Sequence, residues 1–71
     1  MSDIEVGVLR ALKAYKIEKG LSAAAAEAWA AANLKVGVAR FNAVRARHPR
    51  DDEGSAKAAF SDLKTWAQAQ G

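Results

Sequence analysis

A single proline, Pro49, stands in a chain of 71 residues of which about a quarter are alanine. Alanine is the strongest helix former and proline the strongest helix breaker. No segment alternates apolar and polar residues at the period of a strand. The chain therefore reads as all-α, and its few punctuation marks divide it. Ser2 and Glu5 have the spacing of a capping box, in which the serine accepts from the third helical amide and the glutamate reaches back. Ile4, Val8, Ala11, Leu12 and Tyr15 follow at helical spacing. Gly20 then fits a left-handed stop, with Leu21 as its apolar follower. Ser22 is the next cap, and no strong breaker follows until Pro49. Asp51, Asp52 and Glu53 place negative charge where the dipole of a last helix favours it. Ala56, Ala59, Phe60, Leu63 and Ala67 form that helix's stripe, with Trp66 at its edge. The pattern predicts one domain over 1–71 with three helices, about 3–19, 22–48 and 52–68. They would form a helical hairpin or small bundle around a long central helix.

Only about seventeen side chains are large and apolar, a small stock for a core at this length. The central helix also carries a broad apolar arc. Ala23, Ala26, Ala30, Leu34, Gly37, Val38, Phe41 and Val44 share one face, with Ala25, Trp29, Ala32, Val36 and Ala43 beside it. Two short neighbours would not cover such an arc, so a homodimer is expected to complete the fold. With no cysteine, disulfides and thiolate chemistry are excluded. The apolar stretch from Ile4 to Leu12 is interrupted by Glu5 and Arg10 and has no basic region before it, unlike a signal peptide. No run approaches the length of a membrane span. The expected location is the cytoplasm, of a bacterium or a phage-infected cell.

The segment Lys19-Gly20-Leu21-Ser22, together with Ala32-Asn33-Leu34-Lys35-Val36-Gly37-Val38-Ala39-Arg40-Phe41, resembles a repressor-type helix-turn-helix. The resemblance covers about half the chain. It implies a turn near Asn33 and a recognition helix whose Arg40, Asn42, Arg45 and Arg47 face or flank a major groove. Against it, Lys35 cannot cap a recognition helix, and the apolar pair Val38 and Phe41 falls one residue early. The rival reading is one continuous helix, because the apolar phase runs through position 33 without a reset.

Charge is the most informative feature. The net charge of +3 hides a segment, 21–50, with Lys35, Arg40, Arg45, Arg47 and Arg50 against Glu27 alone. Catalytic residues, metal ligands and a cofactor or small-molecule site are not expected. His48 is the only histidine and has no companion ligand, the serines fall at caps or exposed helical positions, and the acids at 51–53 lack calcium-loop spacing. The basic segment instead suits phosphates. The expectation is a small non-enzymatic nucleic-acid-binding or regulatory protein using Lys35, Arg40, Arg45, Arg47 and Arg50. The alternative is a protein-interaction module, such as a phage- or plasmid-type inhibitor, adaptor or assembly factor. It would bind a protein partner through Trp29, Val36, Phe41 and Val44.

Overall fold

In the computed structural model, which describes residues 1–70, the chain is all-helical with four helices: α1 (Asp3–Glu18), α2 (Ala23–Ala32), α3 (Leu34–Ala46) and α4 (Asp52–Ala69). Among the described residues, no helix is long and apolar enough to cross a membrane.

The local signals act as read. Ser2 Oγ accepts from the Glu5 amide at 3.2 Å, and Glu5 Oε1 accepts from the Ser2 amide at 3.0 Å, closing the capping box. At the other end of α1, Gly20 takes φ 101°. Its amide donates to Ile17 O at 2.9 Å and the Leu21 amide donates to Lys16 O at 3.1 Å, the paired bonds of a Schellman stop. Ser22 Oγ accepts from the Ala25 amide to start α2. Asp51 Oδ1 accepts from the Gly54 amide to start α4, and a Cβ on Gly54 would collide with that carboxylate.

The expected continuous helix over 22–48 does not form. Asn33 breaks it, with φ −108° and ψ 10°. The Asn33 amide and Nδ2 both donate to Trp29 O, at 3.0 and 2.9 Å, so the side chain competes for a carbonyl at the helix end. Among the described residues, the backbone bonds across the joint run through Asn33, whose own carbonyl accepts from Gly37. A single non-helical residue is shorter than the three- or four-residue turn of a helix-turn-helix. The break stands where the resemblance placed its turn, near Asn33, and joins α2 to α3 through that one residue.

The bend keeps the phase. Ala26 and Ala30 before it, and Gly37, Phe41 and Val44 after it, are all buried. Ion pairs tie α1 to α2 and α3 to α4, Lys13 with Glu27 in the first pair and, in antiparallel order, Arg40 with Asp62 and Arg45 with Asp52 in the second. The helices enclose a core of Val8, Leu12, Ala30, Phe41, Val44, Ala59, Leu63 and Ala67. Gly37 lets α3 approach α1: a Cβ there would sit 2.9 Å from Leu12 Cδ1 and 3.0 Å from Val8 Cγ1. The aromatic residues pair internally, Trp29 on Trp66 at 5.5 Å and Phe41 on Phe60 at 4.9 Å, edge to face. Of the apolar arc that motivated a homodimer, Ala26, Ala30, Gly37, Phe41 and Val44 are buried within the same chain, whereas Ala23, Ala25, Ala32, Val36 and Ala43 remain exposed. The bend allows that burial, because it lets two short helices each find their own neighbour.

Candidate nucleic-acid interface

The helix α3 carries most of the basic segment, and its burial pattern defines an outward face. Lys35, Val36, Ala39, Asn42, Ala43, Ala46 and Arg47 are exposed, whereas Gly37, Phe41 and Val44 point inward. At ~100° per residue, Arg40 and Arg47 fall on one margin of that face and Arg45 on the other. Lys35, Ala39 and Ala46 run between them, with Asn42 alongside. The face ends in the turn 47–51, where His48, Pro49 and Arg50 are exposed.

The five cations differ in how they are held. Arg40 is clamped: Nε and Nη2 donate to the two carboxylate oxygens of Asp62 at 3.1 and 3.2 Å, and its guanidinium carbon lies 5.3 Å from the Trp66 ring centre. Such a fork fixes a guanidinium more firmly than a single contact. About two-fifths of the Arg40 side chain remains exposed. Arg45 is held more loosely, with Nε donating to Ser55 Oγ at 3.4 Å and Nη2 at 3.7 Å from Asp52. The Asp52 side chain is almost fully solvated, so water and salt weaken that pair. Among the described residues, Lys35, Arg47 and Arg50 have no carboxylate within ion-pair distance. A shallow groove of about 170 Å³ lies between α3 and α4, bounded by Arg40, Ala43, Val44, Arg47 and Asp62.

The four residues expected to form a protein-binding surface do not come together. Phe41 and Val44 are 4% and 6% exposed and belong to the core, so they offer no surface. Trp29 is half-buried between Trp66 and the Lys16 ammonium. Only Val36, at 52%, stands in solvent. Phe41 and Val44 share a helical face that is the inside of this chain, whereas Val36 lies off that face.

Two polar residues are buried where sequence reasoning saw nothing. Lys16, only 1% exposed, sends Nζ to Ala67 O at 3.0 Å and Gln70 O at 2.6 Å, closing the carboxyl end of α4. Its place one helical turn after Leu12 was the available signal. Ser55, expected at an exposed or cap-like position, is fully buried. It donates to Asp52 O at 3.0 Å and accepts from Arg45. Among the described residues, no three histidines, aspartates or glutamates group as a metal site.

No protein-family model matches the chain, and neither a curated protein nor a solved structure matches it.

Proposed function

We propose that the chain is a small non-enzymatic nucleic-acid-binding protein whose contact surface is the outward face of α3 and the turn that follows it. The observation that carries this reading is the distribution of charge. The sequence from Ala28 to Arg50 contains no acid, and within it Lys35, Arg47 and Arg50 are solvated without a carboxylate partner among the described residues. Arg40 and Arg45 flank the same face and retain exposed surface. Cations spread along about 20 Å of helix, at ~1.5 Å per residue, suit a polyanion better than a single carboxylate. In this reading the protein works in the cytoplasm, in contact with the cell's nucleic acid.

The test is retention of a labelled nucleic acid by fluorescence anisotropy across salt concentrations. Neutralising about three to five phosphates gives a slope of log affinity against log salt of roughly −3 to −4.5. Replacing Lys35, Arg47 and Arg50 together with Ala is expected to flatten that slope and weaken binding, with helicity by circular dichroism unchanged. An affinity indifferent to salt, or untouched by the triple substitution, rules the proposal out.

A further inference from the structure

The groove between α3 and α4 is a concave part of the cationic face, and the two arginines along it are held in different ways. We propose that it seats one phosphate group, with Arg40 and Arg47 as its ligands and Asp62 and Trp66 as the residues that orient Arg40. Resting on the nucleic-acid reading above, that phosphate belongs to a nucleic-acid backbone.

Arg40 is set in place before any ligand arrives. Asp62 accepts from its Nε and Nη2 at 3.1 and 3.2 Å, and its guanidinium carbon lies over the Trp66 ring, 5.3 Å from the centre. A guanidinium carries five N–H donors. Asp62 takes two of them, and among the described residues no other hydrogen bond engages the group. The remaining donors sit on a side chain that is about two-fifths exposed. An arginine already oriented in this way gives up less freedom when it binds.

Arg47 lies two helical turns further along the same margin of α3, at the other end of the groove. It is exposed and has no carboxylate within ion-pair distance among the described residues. Ala43 and Val44, between the two arginines, bring no hydrogen-bonding side chain. The donors therefore converge on the hollow from its two ends, and its volume of about 170 Å³ accommodates a phosphate group. Two cations against Asp62 alone leave the lining net positive.

The geometry favours phosphate over carboxylate. A phosphodiester has two unesterified oxygens that point apart, so each can meet a different guanidinium. The two oxygens of a carboxylate face one way and are filled by a single fork, as Asp62 and Arg40 show. A phosphate contact fixes the protein's position on the nucleic acid and reads no base. Half of the site comes from α4, outside the basic segment 21–50. Asp62 also repels the anion it helps to bind, but weakly, because its side chain is about a third exposed. Loss of orientation outweighs that repulsion, since a freed guanidinium must be ordered again at each binding event.

The experiment follows the arginine Nε–H signals of the isotope-labelled full chain by NMR during titration with inorganic phosphate at constant ionic strength. Arg40 and Arg47 are expected to shift together and to saturate, while Arg10 and Arg50 stay near their starting positions. Acetate at the same concentrations is expected to move none of them to saturation. Arg40 and Arg47 signals that phosphate leaves in place, or that acetate moves equally, overturn the inference. Asp62→Asn is expected to weaken phosphate binding by roughly threefold although it removes a negative charge from the groove. Arg40→Lys, which keeps the charge and loses the fork, is expected to weaken it by a similar factor of roughly three. Helicity by circular dichroism is expected to be unchanged in both. Binding by Asp62→Asn as tight as the parent's, or tighter, overturns the orienting role of Asp62, and the same result in Arg40→Lys overturns the need for the fork.

Labelled duplex DNA distinguishes the two sources of phosphate. It is expected to bind and to move the same two signals. DNA binding that leaves Arg40 and Arg47 in place overturns this inference while the nucleic-acid reading stands. Saturable shifts with phosphate and no binding of DNA assign the groove to a free phosphate compound and overturn the reading above. No response to either ligand overturns both.

Discussion

The Lys16 ammonium lies 4.5 Å from the centre of the Trp29 ring while donating to the carbonyls of Ala67 and Gln70. One side chain of α1 thereby joins the end of α4 to the aromatic residue of α2. The last carbonyls of a helix have no partner within it, and a cation at that end also answers the helix dipole. Lys16→Met keeps most of the apolar stem but removes the donors. It is expected to destabilise the fold by about 1–3 kcal/mol, with a fall in melting temperature of roughly 4–8 °C per kcal/mol. Thermal unfolding followed by circular dichroism measures this, and an unchanged midpoint would show that the buried ammonium contributes nothing.

Gly37 faces Val8 and Leu12, both fully buried. Helix propensity favours alanine over glycine by about 1 kcal/mol. Overpacking a filled core opposes it with about 1–3 kcal/mol. Stability is therefore expected to fall from the parent to Gly37→Ala, and further in Gly37→Val. Urea midpoints give the order directly, and an alanine variant more stable than the parent contradicts the close approach of α3 to α1.

The opposite outcome is expected at Gly7. It too lies inside a helix, but a Cβ there would meet nothing within 4 Å. Gly7→Ala is expected to stabilise by about 0.5–1 kcal/mol, through helix propensity and a less free unfolded chain. The same urea titration checks it, and a loss of stability would mean that the outer surface of α1 is occupied.

The capping box adds a pH dependence. The Ser2 backbone amide, and then the Ser2 hydroxyl, hold the Glu5 carboxyl below its ordinary value of 4.5. A carboxyl whose folded pKa is lowered contributes stability that is present above 4.5 and lost as pH falls through the folded value. Melting temperature is thus expected to drop on acidification below that point, and to drop less in Glu5→Gln. Identical acid profiles for the two proteins would remove the capping box as a source of the effect. Tyr15 acts at the other end of the scale. Its pKa is raised, by burial first and by Glu18 second, so its contribution is intact below 10 and is lost as pH rises through the folded value.

The charge segregation behind the candidate interface was legible from composition along the chain, because it needs only a count of acids and bases. Which cations remain free was not. Arg40 and Asp62 are 22 positions apart, and their pairing depends on α3 and α4 running antiparallel in one particular register. The same register hides Ser55 beneath Arg45 and leaves Lys35, Arg47 and Arg50 in solvent. Phe41 and Val44 were visible as apolar residues in helical phase, but phase cannot say whether the neighbour it seeks is in the same chain or another.

The sequence by itself determined where α1 begins and ends, where α2 begins and where α4 begins. Each of those boundaries is a bond between groups three to five residues apart: Ser2 with Glu5, Leu21 with Lys16, Ser22 with Ala25, Asp51 with Gly54. Tertiary structure decided the bend at Asn33 and the burial of Lys16. An asparagine in an unbroken apolar phase is compatible with a straight helix or a bent one, and the balance is tipped by the core contacts that α1 and α4 offer each half. A lysine is buried where distant groups replace water around its ammonium, here the carbonyls of Ala67 and Gln70 and the Trp29 ring, and their location is a property of the assembled fold.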